Sequence, residues 1–309
     1  MRILRIGTRS SSLALWQARW VADRIREKDS ALVIELVTIK TAGEKLSEIP
    51  LSQIGSRGLF TEEIEAALLD ENIDLAVHSL KDLPYELPLG LEIGAYSKRE
   101  DSRDVFISKN TQSLEDLPKN AQIGTSSLRR KAQVLSIRPD LCCIEIRGNI
   151  NTRLSKLDQS HDLSGIILAA AGVVRLGLQD RITQYLSEDR FLPAAGQGVI
   201  AIEFFEERID IRDLLKGINH MQSEYEARAE RRFLSVLQGG CRVPIGVRAV
   251  YKEGDLELKG MVASLDGSRT VWVKAKGTDP DLVGRQAAED ALRQGADQIL
   301  AEIISYEAK

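Results

Sequence analysis

Hydrophobic and polar positions follow one rhythm through two thirds of the chain and another through the rest. ILRIGT is a short apolar run, and it feeds SSSLALWQARWVADRIREK, where Leu13, Trp16, Trp20 and Val21 recur at helical spacing. A strand entering a helix is predicted. VIELVTIK reads as a second strand and IDLAVHS as a third. Between them TEEIEAALLDEN reads as a helix with Thr61 as its N-cap and Glu62 and Glu63 in the first turn, where acids suit the helix dipole. Strands alternating with helices predict a parallel α/β sheet.

The same order then returns. AQIGTSS leads into LRRKAQVLSIR, the strand-like LCCIEIRG, the helix-like INTRLSKLD and the apolar run GIILAAAG, with Ile123-Gly124-Thr125 in the place of Ile6-Gly7-Thr8. Two α/β lobes of one plan are expected. EDSRD at 100–104 and LPAAGQG at 192–198 read as the crossings between them, and a cleft between such lobes is a natural ligand site. Near residue 220 the rhythm changes to a helix with Tyr225, Ala229, Phe233 and Val236 on one face, stopped by Gly239-Gly240. IGVRAVY, DLELKGMVA and TVWVKAKG follow as strands joined by tight turns, including Asp266-Gly267, and a last helix opens at Asp279-Pro280. This is a small α+β domain.

Composition adds limits rather than a function. The chain has 309 residues, 43% hydrophobic and 28% charged, enough for two or three domains. Lys and Arg total 42 against 46 for Asp and Glu, so a net charge of -4 gives no reason to expect nucleic acid or an anionic membrane as partner. No apolar run approaches a membrane span, the N-terminus develops no export signal, and three cysteines form neither a disulfide framework nor a spaced zinc signature. A reducing, cytoplasmic compartment and no metal are expected.

Four groups could carry chemistry. GTRSSSLAL and its echo GTSSLRR each set Ser or Thr hydroxyls and backbone N–H groups beside arginine, at Arg9 and Ser11 and again at Thr125, Ser127, Arg129 and Arg130. They read as paired anion pockets, against the alternative that the serines only cap helices. Further cations, Arg57, Lys81, Arg147, Arg153 and Arg175, sit at element ends, which in an acidic chain suggests a polyanionic small molecule rather than random surface charge. Asp82 could move a proton, stabilise a cation or accept a hydrogen bond from an N–H group, or simply pair with Lys81 or a neighbouring arginine; His78 on the same strand reads as a packed core residue. Cys241, between Gly240 and Arg242, has a route to thiolate character, or is a small buried residue at a helix exit. Cys142 and Cys143 in their strand read as packing.

In order and spacing, GTRSSSLAL, GSRGLFTEEIE, AVHSLKDLP, REDSRD, IGTSSLRR, IRGNINTRLSKL, ILAAAGVVRLG, LPAAGQG and GGCRVPIG resemble the porphobilinogen deaminase (hydroxymethylbilane synthase) family over nearly the whole chain. The resemblance implies two lobes like type II periplasmic binding proteins plus a small α+β domain with a three-stranded antiparallel sheet. It implies a first domain of residues 1–98 and 199–217, a second of 99–198 and a third of 218–309. It implies a transferase that condenses four porphobilinogen molecules head to tail, losing ammonia, into linear hydroxymethylbilane on the route to haem and other tetrapyrroles. A dipyrromethane primer would be held through a thioether to Cys241, and Asp82 would be the catalytic acid, stabilising the cation left by deamination. Arg9, Ser11, Lys81, Thr125, Ser127, Arg129, Arg130, Arg147, Arg153 and Arg175 would bind cofactor or substrate carboxylates. A monomer is the family expectation. Arg57 departs from the lysine usual before Gly-Leu-Phe, exchanging a point charge for a planar fork in the segment near 42–58.

A two-lobed anion-binding or ligand-sensing protein without catalysis is the competing reading. The joint presence of Asp82 and Cys241 separates the two, because a binding module needs no covalent anchor.

Overall fold

The computed structural model describes residues 3–42, 61–239 and 243–307. The first apolar runs fold as read: β1 (Ile3–Thr8), α1 (Ser12–Lys28), β2 (Val33–Thr38), α2 (Glu62–Leu69) and β3 (Leu75–Ser79), followed by β4 (Leu91–Tyr96). After a crossing come β5 (Asp104–Ser108), β6 (Gln122–Gly124), α3 (Leu128–Ile137), β7 (Cys142–Ile144), α4 (Ile150–Gln159), β8 (Leu163–Ala169), α5 (Ala170–Arg175) and β9 (Gln184–Tyr185). The chain crosses back into β10 (Ile200–Phe205) and α6 (Ile209–Lys216). GIILAAAG, read as one strand, divides at Ala169 into the end of β8 and the start of α5.

The two sheets have the same plan, β2-β1-β3-β10-β4 and β7-β6-β8-β5-β9. In each, three strands run parallel and the fourth is antiparallel to both neighbours, β10 in the first sheet and β5 in the second. The sequence predicted parallel sheets. The sheets are mixed because each inserted strand arrives along a crossing from the other lobe and so runs the opposite way. The duplication is therefore real at the level of topology, and the fold class is the two-lobed α/β arrangement expected.

Each sheet is covered on both faces. In the first, Leu4, Ile6, Val77 and Phe204 pack with Val21 and Ile25 of α1, and on the other face Ala76 and Ile73 pack with Ile64 and Leu68 of α2. The second has the same layering, with Ile107 and Ile166 towards Leu154 and Leu157 of α4, and Phe106 and Ile123 towards Val134 of α3. Cys143 packs at this second face, burial raising its thiol pKa to about 11, whereas Cys142 on the edge strand is exposed and does not pack as expected.

The remaining chain forms α7 (Met221–Val236), β11 (Ile245–Lys252), β12 (Asp255–Ala263), β13 (Thr270–Gly277), α8 (Pro280–Ala291) and α9 (Asp297–Glu307), with an antiparallel sheet in the order β11-β12-β13. Asp279 caps α8 by accepting from Leu282 N at 2.8 Å, with Pro280 in the first turn. Phe233 is fully buried at the centre of this unit's core with Val247, Leu258 and Ala287. Truncating such a side chain costs about 3–5 kcal/mol. The exit of α7 differs from the predicted glycine stop. The left-handed residue is Gln238, at φ 51°, while Gln238 N donates to Ser235 O at 3.1 Å and Gly239 N to Leu234 O at 2.8 Å, closing the last turn. Gly239 serves close approach instead: a Cβ there would lie 2.7 Å from Ile245 Cδ1.

Buried charge ties this unit to the crossings. Arg99 reaches Glu226 Oε2 and Glu230 Oε1 of α7, each at 3.0 Å, and donates to Gln197 O at 2.9 Å. Glu230 in turn accepts from Gly196 N at 2.7 Å and Ala249 N at 2.9 Å. Both crossings and the third unit are thus fixed to one pair of buried carboxylates.

Candidate active site

Strand ends supply the site. β3 finishes in a single 3-10 turn, Leu80–Asp82, which buries Leu80 and leaves the Asp82 side chain exposed at the sheet's C-terminal edge. Asp82 lines a cavity of about 50 Å³ with Arg9, Ser11, Gln17, Thr61, His78 and Ser79 among others. Among the described residues Asp82 has no ion pair within 4.0 Å and accepts no hydrogen bond, so it pairs with neither Lys81 nor a neighbouring arginine there. His78 is buried, as read, with Nε2 at 3.0 Å from Glu203 Oε2 but not aligned for a hydrogen bond.

The cations gather from both lobes. Lys81 stands beside Asp82, and its Nζ has a long contact, 3.4 Å, to Gln197 Oε1. Burial first, then Arg130, lower the Lys81 pKa to about 8, against the pull of Asp82 and Asp104, with Arg129 adding to the lowering. Arg153, on α4, donates from Nε to Gly148 O at 2.8 Å. Burial and then Arg130 lower its pKa to about 10, with Asp82 opposing and Arg147 adding. Asp82 therefore lies in the field of a first-lobe lysine and a second-lobe arginine at once, across the cleft. Arg147 is half-buried, 3.8 Å from Glu145.

Ser11 and Ser127 hold equivalent places, each capping the helix after the first strand of its lobe, by accepting from Ala14 N at 3.3 Å and Arg130 N at 3.4 Å. Capping was the plainer reading, and it holds. It uses the oxygen's lone pair and leaves each hydroxyl proton for a carboxylate. Thr61, by contrast, stands at the N-cap of α2 without a side-chain capping bond. Thr125 is buried and accepts from Ser127 N at 3.2 Å. Arg175 donates to Gly198 O at 2.7 Å and lies 5.7 Å from the Trp16 ring centre, joining the second lobe to a crossing and to α1; burial lowers its pKa to about 10, Glu100 opposing.

Arg129 and Arg130 are the arginines whose partners the sequence did not reveal. Arg129 Nη1 meets Asp104 Oδ2 at 2.6 Å and also donates to Leu192 O, while Arg130 Nη2 meets Asp104 Oδ1 at 2.7 Å and Nη1 donates to Ile167 O at 3.0 Å. Asp104 is fully buried. Burial alone would raise its pKa, but the two guanidiniums reverse this and hold it well below the usual carboxylate range. Gln197, also fully buried, donates to Asp104 Oδ1 at 3.1 Å and to Ser102 O at 2.7 Å. Asp104 and Gln197, which support the site from within the two crossings, carry no sequence signal of that role. Cys241 and Arg57 lie outside the described residues.

The donor set fits a molecule with several carboxylates. Among the described residues Lys81, Arg129, Arg130 and Arg153 share a field with Asp82 and Asp104, Arg147 stands 3.8 Å from Glu145, and burial followed by the charge of Arg130 lowers the pKa values of Lys81 and Arg153. A dipyrromethane carrying acetate and propionate groups is such a molecule. Among the described residues no cluster of His, Cys, Asp or Glu could hold a metal ion, and no helix is long and apolar enough to cross a membrane.

Comparison with known proteins agrees with this geometry. Residues 4–213 match the dipyromethane cofactor binding domain of porphobilinogen deaminase and residues 224–293 its C-terminal domain. The chain is similar to porphobilinogen deaminases from Desulfitobacterium hafniense, at 52% identity over 98% of each chain, and Carboxydothermus hydrogenoformans, at 50% over 96% of each. It is also similar to that of Syntrophomonas wolfei, at 50% over 98% of this chain and 99% of the relative. Among solved structures it is similar to the methionine-binding protein MetQ, at 13% identity and a TM-score of 0.44, over 72% of this chain and 90% of that one. Two matched domains and these identities over almost the full length place the chain in the porphobilinogen deaminase family.

Proposed function

We propose that the cleft between the lobes is where this enzyme, a transferase of tetrapyrrole biosynthesis, joins four porphobilinogens head to tail with loss of ammonia, using Asp82 as its catalytic carboxylate and Cys241 as its anchor. The observation carrying this is the placement of Asp82: an exposed carboxylate with no protein partner among the described residues, in the field of Lys81 and Arg153 from opposite lobes. When bound, the dipyrromethane supplies the free ring end to which the substrate is joined. Ser11, Ser127, Thr125 and the cations Arg9, Lys81, Arg147, Arg153 and Arg175 hold carboxylates of substrate and cofactor. Arg129 and Arg130 add their charge to the cleft from their fixed positions on Asp104. Asp82 takes hydrogen bonds from pyrrole N–H groups, opposes the positive charge that develops as ammonia leaves, and carries the proton released when the new bond forms. A ligand-sensing module needs no such free carboxylate, and the family match also disfavours it.

Sheet membership supports the division into residues 1–98 with 199–217, 99–198 and 218–309, because β10 completes the first sheet and α7 opens the third unit. The reading keeps the expectation of a cytoplasmic monomer. Intact mass spectrometry tests the anchor. The purified protein should exceed its sequence mass by two linked pyrrole rings, grow in pyrrole steps when given porphobilinogen, and lose the excess in Cys241→Ser. A fully active protein at bare sequence mass overturns the assignment of Cys241.

A further inference from the structure

The third unit presents a second concentration of positive charge, away from the Asp82 cavity. Along α7, Arg228, Arg231, Arg232 and Ser235 fall three and four residues apart and so share one face. They line a cavity of about 220 Å³ together with Tyr85, from the segment that follows Asp82, and Asp281, in the first turn of α8. This volume would admit several waters or one small polyanion. Three guanidiniums face one carboxylate there, in a chain whose net charge is -4.

The three arginines are not equally satisfied. Arg228 is paired, its Nη2 at 2.5 Å from Asp281 Oδ2 and its Nη1 at 4.0 Å from Glu224 Oε1, a carboxylate that does not line the cavity. Arg231 has carbonyl partners only: Nη2 donates to Pro84 O at 2.7 Å and Tyr85 O at 3.0 Å, and Nη1 reaches Leu83 O at 3.4 Å. Burial lowers its pKa, Tyr96 and Glu203 opposing. Arg232 has neither: its Nε is buried without a hydrogen-bond partner, and no carboxylate lies within 4.0 Å among the described residues. A buried donor left unmatched is costly, and like charges four residues apart on a helix repel. Both penalties vanish if an anion enters the cavity.

We propose that this cavity binds a small oxyanion bearing two or more negative charges, a phosphate or a di- or tricarboxylate, held by Arg232 and Arg228 with the Ser235 hydroxyl. Its neighbour Arg231 grips the three carbonyls that follow the Leu80–Asp82 turn, so the bound anion fastens α7 to the stretch of chain supporting that turn. The site is separate from the substrate cleft and independent of the role given to Asp82.

Isothermal titration calorimetry on the cofactor-loaded enzyme, at constant ionic strength, tests this with inorganic phosphate and with citrate as probes. Saturable binding of at least one is expected, weakened tenfold or more in Arg232→Gln, while turnover of porphobilinogen stays within about twofold of the parent. Preference for phosphate over citrate assigns the site to phosphates, and the reverse to small carboxylic acids. Unchanged isotherms in Arg232→Gln, no saturable binding at millimolar probe, or turnover falling in step with binding overturns the proposal. Should Arg232→Gln not fold, Arg232→Lys keeps the charge without the planar fork and should bind with intermediate affinity; parent-like affinity there overturns it equally.

Discussion

Asp82 and Asp104 stand on opposite lobes, the first closing the turn that follows β3 and the second opening β5. Asp82 is exposed and meets no cation within 4.0 Å among the described residues; Asp104 is fully buried and gripped by two guanidiniums and an amide. The same side chain is left available in one lobe and locked in the other. Asp104 shows how arginine can be kept rigid beside a cleft: Arg129 and Arg130 bring charge to the site without being free to move towards it. Asp82 shows the converse, a carboxylate whose partners must come from the ligand.

Exchanging the properties of the two tests that contrast most sharply. Asp82→Asn should fold normally, with an unchanged melting temperature and a retained mass excess, yet lose about 10²–10⁴-fold in kcat, the range of a lost proton-transfer group; steady-state rates equal to the parent remove Asp82 from the chemistry. Asp104→Asn should do the reverse. Breaking a buried pair by removing one partner costs about 3–5 kcal/mol, measurable by urea denaturation, and a loss below 1 kcal/mol would mean that the guanidiniums find other acceptors.

Acid should separate the parent from that variant as well. The Asp104 carboxyl is held low in the folded state, while an unfolded aspartate titrates near about 3.9. Its stabilisation is therefore complete above that value and lost as pH falls below it. Between about pH 4 and pH 2 the parent should lose stability more steeply than Asp104→Asn, and parallel curves would contradict the pairing.

A smaller effect is expected at alkaline pH. Lys81, lowered to about 8 by burial and by Arg130, gives up its charge as pH rises through that value, so KM for porphobilinogen should climb between pH 7 and pH 9. Lys81→Arg should flatten that climb, because a guanidinium stays charged. The smallest effect belongs to Cys142→Ser, an exposed edge position, which should alter stability by no more than about 0.5 kcal/mol.

The sequence made the duplication legible because strand and helix periodicity are local, and Ile6-Gly7-Thr8 and Ile123-Gly124-Thr125 do end equivalent strands. It also made the cluster of cations legible, since charge in an acidic chain stands out. The antiparallel insertions were not legible: β10 pairs with β3 and β4, and β5 with β8 and β9, partners far away in sequence, and no local pattern records that. Nor was the state of Arg129 and Arg130, because an arginine bound to Asp104 and one awaiting a ligand are the same letters. At the exit of α7, Gln238 takes the left-handed turn that glycine usually takes, while Gly239 is needed for the nearness of Ile245. Two different requirements thus fall on neighbouring residues, and only one of them is met by glycine.

Gly198 lies in the returning crossing, at φ 90°, and a Cβ on it would come within 2.4 Å of the Glu100 carbonyl oxygen in the outgoing one. Its own carbonyl accepts from Glu100 N at 3.0 Å and from Arg175. Two crossings laced this closely act as one seam: any side chain at Gly198 would strain its own backbone and push the outgoing crossing away in the same stroke.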